Sequence, residues 1–274
     1  APKAALGRRV SLTVKKCGFF SGYLFDEAKV GDVFTLGDPS GDFCHEPVKD
    51  AEQLVGLAGG SGVTPFYSMA QAIADGTMDC TLTLFYGAKT EAELIFKKEL
   101  DALVSEKFKV VYVLSDEEKA GYEHGFIGAD LIKKYVSGDF TVMLCGPAAM
   151  YAFADKELAS LGLPLRRIKK EANCVGVRDV PPQTYTLTVH IGFDTYTVPA
   201  DARETVLTAL ERAGLKVPAK CRAGGCGFCH SKLVSGSFSV AGADKRRIAD
   251  KKFGYIHPCC SYPDSDMELI VPKA

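Results

Sequence analysis

Cys221-Arg222-Ala223-Gly224-Gly225-Cys226-Gly227-Phe228-Cys229, answered thirty positions later by Cys259, is the stretch from which the rest of the chain can be read. Three cysteines at C-x4-C-x2-C spacing with a distant fourth form the arrangement that grips a [2Fe–2S] cluster. The spacing has a chemical reason. Four thiolates must converge on two irons, so one loop has to fold back on itself and supply three of them. Gly224, Gly225 and Gly227 open backbone conformations closed to other residues, which lets peptide N–H groups approach the sulfurs. Such hydrogen bonds favour the reduced cluster and help to set its potential. The expectation is a carrier of single electrons.

Two other metal sites fit less well. A structural zinc ion usually takes two short knuckles, and only Cys226 and Cys229 form one here. A Rieske centre takes two histidines, and His230 and His257 adjoin the motif without supplying that pattern. His230 is either a tuner of the cluster or a surface residue. The fourth ligand lies between the neighbours Cys259 and Cys260. The run Ile256-His257-Pro258-Cys259-Cys260-Ser261-Tyr262-Pro263 resembles the ending of plant-type ferredoxins, where the ligand stands three residues before Tyr-Pro. That resemblance implies the set Cys221, Cys226, Cys229 and Cys259.

Around the motif, residues 183–274 read as a separate module. Tyr185 to Val189 and Phe193 to Val198 alternate as strands, with a turn at Ile191-Gly192, and so predict a hairpin. Ala202 to Ala213 has helical periodicity, with Val206, Leu207 and Leu210 on one face. Met267 to Val271 makes a late strand. Strand, strand, helix, iron loop, strand is similar to a β-grasp ferredoxin domain. Val180-Pro181-Pro182 is a stiff linker before it.

Composition sets the outer bounds. At 274 residues the chain has room for two or three domains. Apolar residues make up 47 % and charged residues 24 %, and no stretch approaches the ~20 apolar residues of a membrane span. No secretory signal opens the sequence. Ten cysteines, with four claimed by the cluster and others such as Cys80 and Cys145 in apolar segments, fit reduced thiols in a cytoplasmic protein. Net charge is −1, but it is unevenly spread: residues 49–178 hold 15 Lys and Arg against 18 Asp and Glu, and residues 183–274 hold 12 against 9. Five of those cations fall between Asp244 and Lys252, either a solvated face or a docking patch for an acidic redox partner. The basic excess is small and lacks interleaved aromatics, which argues against nucleic acid as a partner.

Residues 49–178 alternate between strands and helices. Strands are expected at Gln53 to Ala58, Leu82 to Tyr86, Lys109 to Leu114 and Thr141 to Leu144. Helices are expected at Thr64 to Ala74, Glu91 to Ser105, Ala129 to Tyr135 and Ala148 to Leu161. Repeated βα units predict a doubly wound parallel α/β sheet, with ligands outside the carboxyl ends of its strands. The first strand runs into Gly59-Gly60-Ser61-Gly62-Val63-Thr64-Pro65, which places backbone N–H groups and a helix start where a pyrophosphate can bind. The fourth strand ends in Cys145-Gly146-Pro147-Ala148-Ala149-Met150.

These two turns together resemble the ferredoxin–NADP reductase superfamily, as does the stretch Phe85-Tyr86-Gly87-Ala88-Lys89 through Glu99-Leu100, with Lys89 in place of an arginine. With the C-terminal ferredoxin module, the order is similar to the phthalate dioxygenase reductase type: flavin barrel, nicotinamide domain, [2Fe–2S] domain. The resemblance implies an oxidoreductase that passes electrons from NAD(P)H through flavin to the cluster and on to a redox protein acceptor such as an oxygenase component. The alternative is an electron carrier that binds nucleotide without turning it over. The resemblance also implies that Gly59, Gly60, Ser61, Gly62, Thr64, Pro65, Cys145, Gly146, Pro147 and Met150 bind the nucleotide. Cys145 would stand at the nicotinamide ring and Thr64 at the cofactor or flavin. Ser115-Asp116-Glu117-Glu118 follows the third strand where phosphate-binding relatives present arginine, so NADH is expected over NADPH.

The family's flavin motif, Arg-x-Tyr-Ser, is missing, and residues 1–48 are too short for a barrel. They are expected to be the C-terminal part of one, with more of it upstream, and to hold FAD or FMN incompletely. Gly18-Phe19-Phe20-Ser21 would meet a flavin phosphate through Gly18 and Ser21. Val10 to Lys15 and Asp32 to Leu36 are expected to be β segments, flanking a short helix around Ser21 to Phe25.

Overall fold

A computed structural model of the protein describes residues 10–16, 19–36, 43–171, 178–240 and 244–273. The chain divides into two compact units, the first closing at Glu171 and the second running from Ala172. In the first, helix α1 (Phe19–Asp26) covers the expected Ser21 to Phe25 helix. Neither flanking β segment is a paired strand. A strand needs a hydrogen-bonded neighbour, and the described residues offer Val10, Leu12, Val33 and Leu36 none, leaving each more than half exposed.

A six-stranded sheet follows, built from β1 (Gln53–Gly59), β2 (Thr81–Ala88), β3 (Phe108–Leu114), β4 (Glu123–His124), β5 (Thr141–Cys145) and β6 (Ile168–Lys170). Its order is β4-β3-β2-β1-β5-β6 and every pairing is parallel. Alternate residues of β1 face opposite sides, as strand geometry requires. Leu54 and Ala58 join a core with Phe66, Ala70 and Ile73 of helix α2 (Thr64–Ala74). Val55 and Leu57 join another with Ile132 of α4 (Ala129–Tyr135) and with Ala154 and Leu158 of α5 (Ala148–Ala159). The sheet is therefore covered on both faces, which explains why its strands read as near-continuous apolar runs. The strand order reverses between β1 and β5, opening a crevice at their carboxyl ends.

The helix expected from Glu91 to Ser105 is broken. Glu91–Glu93 make one 3-10 turn and α3 spans only Lys97–Asp101. Between them Phe96 adopts a left-handed φ of 58° and stacks on Tyr67, centroids 4.8 Å apart. The Ile95 N–H donates to Tyr86 Oη (3.1 Å) instead of a helical carbonyl. Tertiary contacts here outweigh helix propensity, which is a weak preference per residue.

The second unit contains β7 (Thr184–Ile191), β8 (Asp194–Asp201), α6 (Val206–Arg212), β9 (Ser231–Ser235), β10 (Phe238–Val240), α7 (Ile248–Lys252), β11 (Tyr255–Ile256), β12 (Ser261–Pro263) and β13 (Met267–Val271). One sheet runs β11-β9-β13-β7-β8, and β10 pairs with β12. β13 lies parallel to β7, and β7 forms the expected hairpin with β8. Helix α6 drops Val206, Ala209 and Leu210 onto Leu187, Val189, Val198 and Leu269, the β-grasp arrangement. It begins later than its periodicity suggests because Thr205 caps it, accepting from the Thr208 N–H (3.2 Å).

Candidate functional site

At the β1–β5 crevice the sheet register pairs Ala58 with Cys145, so the two glycine turns leave the sheet at the same level. Gly60–Val63 curls as a 3-10 turn into α2, whose first turn holds Pro65. A proline there sacrifices no hydrogen bond, because the first N–H groups of a helix have no partner inside it. The turns touch backbone to backbone. A Cβ on Gly62 would lie 2.1 Å from the Cys145 carbonyl oxygen, and one on Gly59 2.8 Å from Met150 Sδ and from Pro147 Cδ. Gly60, Ser61 and Pro147 form the exposed lip; Gly62, Cys145 and Gly146 are buried behind it, with Thr64, Pro65 and Met150 half-buried. All ten residues expected at the nucleotide thus meet in one place. An N-terminus of an eleven-residue helix opening beside a glycine turn is suited to a pyrophosphate.

Two further side chains hold this place, Tyr86 from the Phe85–Lys89 stretch and Tyr151. Tyr86, fully buried, donates from Oη to the Gly60 carbonyl (3.2 Å), and burial pushes its phenol up to about 12. Tyr151 Oη donates to the Glu171 carbonyl (3.1 Å) and accepts from the Gly146 N–H (3.4 Å). Burial raises the Glu171 carboxyl, and burial together with the Glu171 charge pushes the Cys145 thiol up to about 12. Cys145 is therefore an uncharged thiol at neutral pH.

Beyond β3, the Ser115 and Asp116 N–H groups donate to the Ala88 and Lys89 carbonyls (3.0 Å each), laying the acidic loop against the end of β2. Glu117 accepts the Glu91 N–H (2.9 Å), while Glu91 takes Lys119 and the Tyr122 hydroxyl, so the nearby cation is neutralised. The Asp116 and Glu118 side chains stay exposed. Of the expected flavin contacts, Gly18 lies outside the described residues, and Ser21 sits in the first turn of α1.

In the second unit the cysteine loop runs between α6 and β9. Cys229, Cys259 and Cys260 are buried, with Leu207 packed among them, and Cys226 is exposed. Cys229 and Cys259 stand with sulfurs 3.5 Å apart. Backbone N–H groups converge on the sulfurs: Ala223 and Cys226 on Cys221 (3.4 and 3.5 Å), Phe228 on Cys226 (3.5 Å) and Gly224 on Cys259 (3.3 Å). Left-handed backbone at Arg222, Gly224 and Gly227 (φ 52°, 74° and 70°) turns those N–H groups inward. Donors aimed at three of the sulfurs fit a cluster that gains negative charge on reduction. Among the described residues no three ligand side chains gather round one point as a single ion needs; a rhombic cluster divides its sulfurs between two irons.

Charge settles unevenly over these sulfurs. Burial opposes ionisation of Cys221, but the Ala223 and Cys226 N–H groups still hold its thiol below the usual range. Donation from Cys229 and Cys260, with help from the Gly224 N–H, lowers the Cys259 thiol. Cys260 points its thiol at the His257 carbonyl (3.4 Å) and is raised by its bond to Cys259 and by burial. Cys259 thus stands 3.5 Å from Cys229 and accepts the Gly224 N–H, while Cys260 turns its thiol to the His257 carbonyl. His230 bonds the Gly227 carbonyl through Nδ1 (2.8 Å).

Comparisons with known proteins find a match in each unit. Residues 57–156 match the family described as oxidoreductase NAD-binding domain, and residues 189–264 match the 2Fe-2S iron-sulfur cluster binding domain. The chain is similar to NADH oxidoreductase HCR of Escherichia coli, at 30 % identity over 95 % of this chain and 79 % of the relative. It is also similar to the ferredoxin reductase component of 3-ketosteroid-9-alpha-monooxygenase of Mycobacterium tuberculosis, at 31 % identity over 94 % and 74 %. Among solved structures, phthalate dioxygenase reductase shares the fold, with a TM-score of 0.62 and 23 % identity over 85 % of this chain and 68 % of that one. No helix among the described residues is long and apolar enough to cross a membrane. With an NAD-binding match, a 2Fe-2S match and relatives at 30 % identity or more over most of their length, the chain belongs to the ferredoxin–NADP reductase superfamily, among its oxidoreductases that join NAD-binding and [2Fe–2S] domains.

Proposed function

We propose that NADH binds at the β1–β5 crevice, and that its electrons leave singly by way of the cysteine loop for a protein acceptor. The observation that carries this reading is the meeting of Gly59–Pro65 with Cys145–Met150 at the switch point, in a chain that also folds a four-cysteine loop. In it, the backbone of Gly59, Gly60, Ser61 and Gly62 and the start of α2 at Thr64 and Pro65 hold the pyrophosphate. Gly146, Pro147 and Met150 wall the nicotinamide, and Cys145 packs its uncharged thiol against the ring. Hydride departure needs no protein acid or base; alignment by these residues lowers its barrier. Asp116 and Glu118 repel a 2′-phosphate, which favours NADH.

Cys221, Cys226, Cys229 and Cys259 hold the cluster, which accepts one electron at a time. A bound FAD or FMN would convert the two-electron hydride into single electrons. The acceptor is a redox protein, and an oxygenase component fits best because relatives include reductase parts of monooxygenases. A cytoplasmic setting suits reduced cysteines.

The test is NADH oxidation by purified protein with ferricyanide and with cytochrome c, alongside flavin released by acid. Cys259→Ser is expected to abolish cytochrome c reduction and the cluster's visible bands while ferricyanide reduction persists. Protein carrying iron that reduces neither acceptor with NADH would favour an electron carrier instead.

A further inference from the structure

Beneath the cysteine loop lies a buried polar chain that the electron path does not use. His257 is fully buried, and each ring nitrogen meets an obligate acceptor: Nδ1 the Gly224 carbonyl at 2.8 Å, Nε2 the Asp250 carboxylate at 3.2 Å. Asp250, itself buried on α7, is gripped by Arg247 through Nε and Nη2 (2.8 and 3.0 Å). The chain therefore runs from α7 through the imidazole to one peptide of the loop. That residue matters for a second reason: the N–H of the same Gly224 donates to Cys259 Sγ at 3.3 Å. Gly224 has a left-handed φ of 74° and is held at both ends, by a sulfur through its N–H and by a histidine through its carbonyl. His230, by contrast, is half-buried with its ring against that of Tyr255, and its Nδ1 meets the Gly227 carbonyl.

We propose that His257 is a positioning residue for the electron-carrying centre: by donating from Nδ1 to the Gly224 carbonyl, it keeps the Gly224 N–H aimed at the Cys259 sulfur. An N–H that donates to a ligand sulfur favours the reduced state, because the bond strengthens as negative charge builds on the cluster. Loosening Gly224 lowers the potential. The inference rests on Cys259 being a ligand.

Three variants separate a donor from a mere filler of the core. Asn places its amide nitrogen where Nδ1 stands, Gln places its own where Nε2 stands, and Leu keeps bulk but donates nothing. The readouts are iron content, an anaerobic dithionite titration with mediators, and the EPR spectrum of the reduced protein. His257→Asn should keep the parent's midpoint. His257→Gln and His257→Leu should lower it, cutting the reduced-to-oxidised ratio at the parent's midpoint about fivefold, the worth of one hydrogen bond. Loss of iron in Gln and Leu with retention in Asn would also support the proposal. A parental midpoint and EPR spectrum in His257→Gln, or loss of iron in all three variants, would overturn it. The ligand reading fails separately: then Cys259→Ser would keep its iron and spectrum whatever residue 257 is.

Discussion

At the scale of single residues, the nucleotide crevice is decided by atoms that are missing. A methyl at position 62 would sit 2.1 Å from the Cys145 carbonyl oxygen and 2.9 Å from the Gly146 nitrogen, both backbone atoms that cannot swing aside. Gly62→Ala is expected to cost about 3 kcal/mol or more, read as a lower urea midpoint, and to raise the KM for NADH. Gly60→Ala meets open space and bears only the strain of a positive φ, about 1 kcal/mol. Cys145 gives a second check. With its thiol pushed up to about 12, only about one molecule in ten thousand is thiolate at pH 8. Alkylation of folded protein by iodoacetamide, followed by peptide mass spectrometry, should leave Cys145 unlabelled. Glu171 carries a pH signature. Its folded carboxyl is raised above the ordinary 4.5 by burial, so its contribution to stability is present below that value and lost as pH rises through the folded one. Glu171→Gln should therefore raise the urea midpoint at pH 7, and the gain should shrink toward about pH 5.

At the scale of elements, the short edge strand β6 is held by a buried ion pair. Lys169 Nζ donates to Asp50 Oδ2 (2.7 Å), and the Asp50 side chain is wholly buried, with Oδ1 lacking a hydrogen-bond partner. Lys169→Met would strand that carboxylate, and the expected loss is about 3 kcal/mol in thermal or urea unfolding. Replacing both residues by apolar ones should restore much of it. The broken 91–105 segment teaches the same lesson about elements. Its composition is helical, yet Tyr86, Tyr67 and Tyr112 draw its middle away, and Tyr112 Oη fixes Asp101 at 2.7 Å.

At the scale of the whole molecule, the uneven charge is less available than its counts suggest. Of the five cations between Asp244 and Lys252, Arg246 and Lys251 pair with Asp244 and Arg247 with Asp250. Much of the basic run is thus spent inside the second unit. The rate of electron transfer to a protein acceptor should change less than about threefold between roughly 20 and 200 mM salt. A steep fall would mean that these cations steer the partner after all.

Some of this protein was legible in one dimension because the physics is local. Strand and helix periods located β1, α2, α4 and β13, and glycine turns and cysteine spacing marked both sites, because a tight turn or a ligand loop must carry its own residue types. Other features needed the fold. The break at Phe96, the two-residue β4, the bonds from Tyr86 to Gly60 and from Tyr151 to Glu171, and the bond from His257 to Gly224 depend on residues distant in sequence. No pattern along the chain encodes such partners, because a buried hydrogen bond is specified by where two backbones cross, and only packing the whole chain decides that.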